Sequence, residues 1–231
     1  PWIRSRGSLE KLTASLELER RDNPYMSGEA RVTAREGRPV SADLPLRPLA
    51  SEIYLRSVSC DFTGKPYDGE EITDVKVYLT NINAECGMLE DGDISPRRII
   101  NQGRLCKEDL ELFEDPGLVC QELECNIGKA WLRPEIRLWC YASNAAEASI
   151  GTPFSRLVIE GKISGQTYYW PVSINREEGN NGIDRNRQYI YDIRITRQGS
   201  TDPDIPVEAE DMEITFKTAI WKEKENCIVG F

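Results

Sequence analysis

Two stretches near the end of the chain alternate apolar and polar residues with a period of two, and this alternation constrains the fold more than any other feature. From Tyr189 to Thr196, the residues Tyr189, Tyr191, Ile193 and Ile195 fall on one side and Asp192, Arg194 and Thr196 on the other. Met212, Ile214, Phe216 and Ile220 repeat the pattern against Asp211, Glu213, Thr215 and Lys217. Successive side chains of a strand point to opposite faces, so each run offers one face to a core and one to water. The connection between them, Gly199 to Pro206, is rich in Gly, Pro and Asp and continues neither strand. A β-sheet protein is expected.

Similar signals recur upstream. Val75, Val77 and Leu79 alternate with Lys76, Tyr78 and Thr80, and Ile136, Leu138 and Cys140 lead to a turn at Ser143-Asn144. Leu157 to Ile159, Gly161 and Ile163 to Gly165 predict a hairpin into Tyr168 to Ile174. Between these strands, Glu85 to Trp131 is rich in Gly, Asp and Cys and reads as a long insertion or elaborated loop, chiefly a solvated connection, with a short helix around Lys107 to Phe113. At the start, Ser8 precedes Leu9, Leu12 and Leu16 with Glu10 in the first turn, which predicts a helix ending near Arg20-Arg21-Asp22-Asn23-Pro24. A strand through Val32 and a turn at Glu36-Gly37-Arg38-Pro39 follow.

Charge and composition limit the chemistry. The 231 residues suffice for one large or two ordinary domains, and the formal net charge of −10 with dispersed Lys and Arg argues against a phosphate-binding surface, so no nucleic acid is expected as a partner. No run approaches the roughly 18 apolar residues that span a bilayer, and no basic-then-apolar leader opens the chain, leaving a cytoplasmic protein or one whose export segment has been removed. The chain contains no histidine, hence no Ser-His-Asp or Cys-His pair and no imidazole metal ligand. Acidic neighbours at Glu70-Glu71, Glu90-Asp91 and Glu177-Glu178 read as solvated charge, and no phosphate-binding glycine motif is present.

Seven cysteines, Cys60, Cys86, Cys106, Cys120, Cys125, Cys140 and Cys227, lack the paired knuckles of a zinc site. An odd count leaves at least one thiol unpaired, Cys140 reads as a core residue, and one disulfide among the loop cysteines stays open if the protein is exported. Neither catalysis nor a metal or other cofactor is expected.

The order of several less common pieces carries a resemblance. Tyr168-Tyr169-Trp170-Pro171-Val172 is followed by Gly182-Ile183-Asp184-Arg185-Asn186-Arg187-Gln188-Tyr189, then by Gly199-Ser200-Thr201-Asp202-Pro203-Asp204 and a strand closing on Trp221. Pro24-Tyr25-Met26-Ser27-Gly28 and Leu46-Arg47-Pro48-Leu49-Ala50-Ser51-Glu52-Ile53 stand ahead of them. Together they resemble the FimA-like fimbrillins of Bacteroidales, subunits of type V pili, most clearly from Arg137 onward and more loosely before Leu79. The resemblance implies a mainly β protein of two transthyretin-like β-sandwich domains in series. Residues 1–46 would be the remainder of an N-terminal domain, incomplete here (helix plus strands), and residues 47–231 the C-terminal β-sandwich.

The resemblance also implies a function: a structural, non-enzymatic subunit of a cell-surface fimbria that supports adhesion and is exported as an outer-membrane lipoprotein precursor. Its partners would be other fimbrial subunits, together with host or bacterial surface ligands. Fimbrillins lose an N-terminal strand to an arginine-specific protease and accept a neighbour's C-terminal strand in the vacated groove, where backbone groups of an open sheet edge find partners. The donor here would be Glu223, Lys224, Glu225, Asn226, Cys227, Ile228, Val229, Gly230 and Phe231, with an ordinary edge strand of its own domain as the alternative. Two other functions stay open: a fimbrial tip adhesin or carbohydrate-binding surface lipoprotein stacking Trp131, Trp139 or Trp170 on sugars, and a secreted hydrolase, which needs two convergent acids about 5 to 9 Å apart.

Overall fold

A computed structural model describes residues 5–33, 41–89, 95–145, 153–176, 182–205, 207, 211–221 and 225–230. Along the chain, α1 (Arg6–Leu9) leads to β1 (Thr13–Ser15), a 3-10 turn (Leu16–Leu18), β2 (Met26–Ser27), β3 (Ser41–Pro48), β4 (Ala50–Cys60), β5 (Thr73–Thr80), β6 (Ile82–Asn83), β7 (Glu85–Gly87) and β8 (Ile99–Ile100). There follow α2 (Lys107–Leu110), a 3-10 turn (Pro116–Leu118), β9 (Cys120–Glu122), β10 (Ile136–Tyr141), β11 (Arg156–Ile163), β12 (Gln166–Ser173), β13 (Arg187–Ile195), β14 (Met212–Ile220) and β15 (Glu225–Gly230). The protein is mainly β.

Two sheets hold the core between them. The larger has the order β14-β13-β4-β10-β6-β8 and the smaller β12-β11-β5-β9. β13 lies parallel to β4 and antiparallel to β14, so β4 is interior to its sheet, and nine of its eleven residues are buried. In β13 the alternation is realised: Tyr189, Tyr191, Ile193 and Ile195 are at most 2% exposed. On the opposite face Asp192 accepts from both arms of Arg56 and from Ser57. The predicted hairpin is β11–β12, closed at Ser164 and Gly165, both at positive φ (51° and 83°), the two-residue turn whose twist suits antiparallel strands.

Three expectations are corrected. The first helix is one turn long, begins after Ser5 rather than Ser8, and is tied by reciprocal bonds between Ser5 and Ser8. Beyond it, Thr13–Ser15 forms a ladder with Glu85–Gly87 and Leu16 N–H donates to Ala84 O (2.9 Å), so tertiary pairing takes the amides that a longer helix would have used. No strand passes through Val32, which is 47% exposed. The ladder of β2 on β3 extends only from Met26 to Ser27; the next positions meet Pro45, whose missing N–H cannot continue it. The turn expected at Glu36 to Pro39 lies outside the described residues. Finally, the insertion is not simply a solvated loop: β9 pairs with β5, and Ile100, Phe113, Leu118, Val119 and Ile127 join the core.

The N-terminal segment packs against the same core. Ala14 and Leu16 are buried in one cluster with Ile53, Trp139 and Trp170. Glu19, fully buried, accepts from Tyr141 Oη (3.0 Å) and from Tyr25 N–H (2.9 Å). Burial, then the neighbouring Glu19 charge, push the Tyr141 hydroxyl well above its ordinary range, which keeps it a donor. Leu46 lies within β3.

Candidate functional site

The proposed donor segment forms an edge strand within its own chain. Glu225–Gly230 pairs antiparallel with β3 in the register Glu225↔Leu46, Cys227↔Leu44, Ile228↔Asp43 and Gly230↔Ser41, making a three-stranded sheet β15-β3-β2. Glu223, Lys224 and Phe231 lie outside the described residues. β3 carries Pro45 at low cost because that residue turns its carbonyl towards Gly28, so the missing N–H falls on the edge away from the tail. A Cβ at Gly28 would run into the Pro45 carbonyl, which explains the glycine of the Met-Ser-Gly turn.

The root of this sheet is held by Arg185. Its guanidinium donates to Pro48 O (2.8 Å), Arg47 O (2.6 Å), Ser27 O (3.0 Å) and Ser27 Oγ (3.1 Å), joining β2 and β3 to the turn before β13. That turn is the Gly-Ile-Asp-Arg-Asn-Arg-Gln-Tyr motif, and each of several residues has a local task. Gly182, at φ 87°, lies against Ser143 O; Tyr189 Oη accepts from Asp184 N–H (2.8 Å); Asn186, at φ 56°, donates its N–H to Ala50 O (3.2 Å). The sequence marked this motif, but its target, more than 130 residues away, has no sequence signal.

Two sheet edges are treated differently. The free edge of β12 is crossed by the Gly199–Asp204 segment: Tyr169 and Ser200 exchange backbone bonds at 2.8 and 2.9 Å, and Trp170 Nε1 donates to Arg197 O (3.1 Å). Gly199 permits this approach, since a Cβ there would strike Tyr169 O. By contrast, no strand among the described residues pairs with the outer edge of β14. The alternation predicted a buried face on β14, yet only Met212 is buried, while Ile214 is 39% and Ile220 66% exposed. Alternation reports which face is apolar and cannot report whether the opposite sheet extends far enough to cover it.

Other sequence candidates do not converge. Trp139 and Trp170 are core residues at 3% and 0% exposure; Trp131 is 47% exposed, with the Arg194 guanidinium 5.0 Å from its ring centre. Glu70 and Glu71 are exposed, and Glu71 accepts from Asn126; the other acidic pairs lie outside the described residues. Burial pushes Cys60 and Cys120 up to about 11 and Cys86 and Cys140 up to about 12, so these thiols stay protonated at neutral pH and are poor nucleophiles. Cys60, Cys86, Cys106, Cys120, Cys125 and Cys140 are unpaired, and no group of three metal-ligating side chains occurs among the described residues; Cys227 lies in β15.

No family model matches the chain, and no curated protein matches it. Solved structures do. A proposed cell adhesion protein from Bacteroides eggerthii superposes with a TM-score of 0.67 at 15% identity, covering 95% of this chain and 72% of that one. A second proposed cell adhesion protein, from Parabacteroides distasonis, gives 0.60 at 12% identity over 92% of this chain and 76% of the other. A fimbrilin (FimA) from Porphyromonas gingivalis gives 0.58 at 16% identity over 94% and 75%. At these identities the likeness is one of fold: the chain has the β-sandwich fold of these fimbrilin and cell adhesion structures.

Proposed function

We propose that the protein is a structural subunit of a cell-surface fimbria, assembled by strand exchange through residues Glu223 to Phe231 and supporting adhesion. The observation that carries this reading is the likeness of nearly the whole chain to a fimbrilin, together with a terminal strand whose sole strand partner among the described residues is β3. A strand held through one backbone ladder exchanges its own β3 for an equivalent edge on a neighbour at little net cost, because the same hydrogen bonds re-form. In this reading, residues 1–46 belong to an N-terminal domain, docked through Ala14 and Leu16, and residues 47–231 are the C-terminal sandwich, both of transthyretin-like type. Other fimbrial subunits are its partners, and a lipidated outer-membrane precursor is its route to the surface. The role is mechanical rather than catalytic.

Truncation after Trp221 tests this. The shortened subunit should keep its melting transition, because residues from Ala14 to Met212 already form the buried core cluster, while fimbriae disappear from electron micrographs of the producing cells. Loss of the folded monomer would assign the tail to its own domain.

A further inference from the structure

The open edge of β14 is self-complementary. Asp211 O accepts from Thr196 N–H and Trp221 N–H donates to Asn186 O, so the odd-numbered positions bond to β13. The amides and carbonyls of Ile214, Phe216 and Thr218 therefore face outward, away from the sheet. The inner face of this edge carries Ile214 and Phe216, and the outer face carries the exposed Glu213, Thr215 and Lys217. A half-covered apolar row beside a ladder that no strand among the described residues fills invites a further strand.

We propose that β14 pairs antiparallel with β14 of a second copy of this chain, about a two-fold axis at Thr215. Glu213 then faces Lys217 of the second copy and Lys217 faces its Glu213, while Ile214 faces Phe216 and Phe216 faces Ile214. Even positions meet even positions, so outward amides meet outward carbonyls. Existing cross-strand rows continue through the axis. On the inner face the row runs Ile193, Ile214, then Phe216 and Tyr191 of the second copy; on the outer face it runs Arg194, Glu213, then Lys217 of the second copy. Moving the axis to Phe216 sets Glu213 against Ala219. Moving it to Ile214 sets Lys217 against Asp211, which already lies 4.0 Å from Arg197, and leaves Glu213 against Thr215. The Thr215 axis alone satisfies both exposed charges. Such an isologous contact closes on itself, so it joins subunits in pairs and does not depend on the tail.

The test uses Thr215→Cys in the full chain, because Thr215 occupies the non-hydrogen-bonded pair on the axis, where Cα atoms approach to about 4.5 Å. Mild oxidation should give disulfide-linked dimer well above that of the unsubstituted chain. Adding Glu213→Lys or Lys217→Glu should cut the yield roughly ten-fold, and adding both together should restore it, since opposite charges then face each other again. Melting curves confirm that each variant is folded. Linkage no greater than in the unsubstituted chain, linkage indifferent to either single substitution, or no recovery in the combination would overturn the proposal.

Discussion

Arg185 shows how much one side chain of this chain does that no local pattern announces. It stands in a turn, yet it fastens two strands through three carbonyls and a hydroxyl. Arg185→Ala leaves those acceptors without their charged donor and should lower stability by about 2–4 kcal/mol in denaturant titration. Lysine should not rescue it, because a single ammonium cannot serve the fork of acceptors. A loss below about 0.5 kcal/mol would show that the clamp is dispensable. Glu17 supplies a second residue-scale prediction. Burial raises its carboxyl, but bonds from Arg98 and Ser15 outweigh this and hold it below the ordinary 4.5. A carboxyl depressed in the folded state is protonated first in the unfolded chain. Its stabilisation is therefore complete above about pH 4.5 and lost as pH falls through the folded value. Arg98→Met should lower the melting temperature at pH 7 and flatten its fall between pH 5 and 3, whereas parallel curves would contradict this.

At the scale of elements, strands that alternate, such as β5, β10, β13 and β14, were legible and their neighbours were not, while β4, buried along almost its whole length, carried no such signal. Tyr189, Tyr191, Ile193 and Ile195 announced a buried face because β13 is covered along its length, while the same alternation in β14 overstated burial at an edge. Leu9, Leu12 and Leu16 carried helical spacing, but the ladder with Glu85–Gly87 overrode it. The arginine motif was visible as a motif and its acceptors were hidden by chain distance. Hydrogen exchange can check the edge directly at low protein concentration. Amides of Ile214, Phe216 and Thr218 should exchange fast and those of Thr215 and Lys217 slowly, an alternation expected only where one side of a strand is bonded. Uniform protection along β14 would mean that its outer edge is already covered.

For the whole molecule, fold class followed from period-two patterning and turn residues, and the order of the motifs anticipated the likeness to fimbrilin and cell adhesion structures. The position of the tail was beyond the sequence, since a short apolar strand pairs equally well with any open edge of suitable length. The structure seats Glu225–Gly230 on β3, and assembly by exchange requires that this ladder open. Asp43 and Ile228 face each other across it. The position of Pro45 identifies this as a non-hydrogen-bonded pair, suited to a cross-strand disulfide. In Asp43→Cys/Ile228→Cys, oxidation should lock the tail to its own chain and abolish filament formation while the monomer stays folded, and reductant should restore filaments. Filaments that form as readily from the locked subunit as from the unsubstituted chain would contradict assembly through this strand.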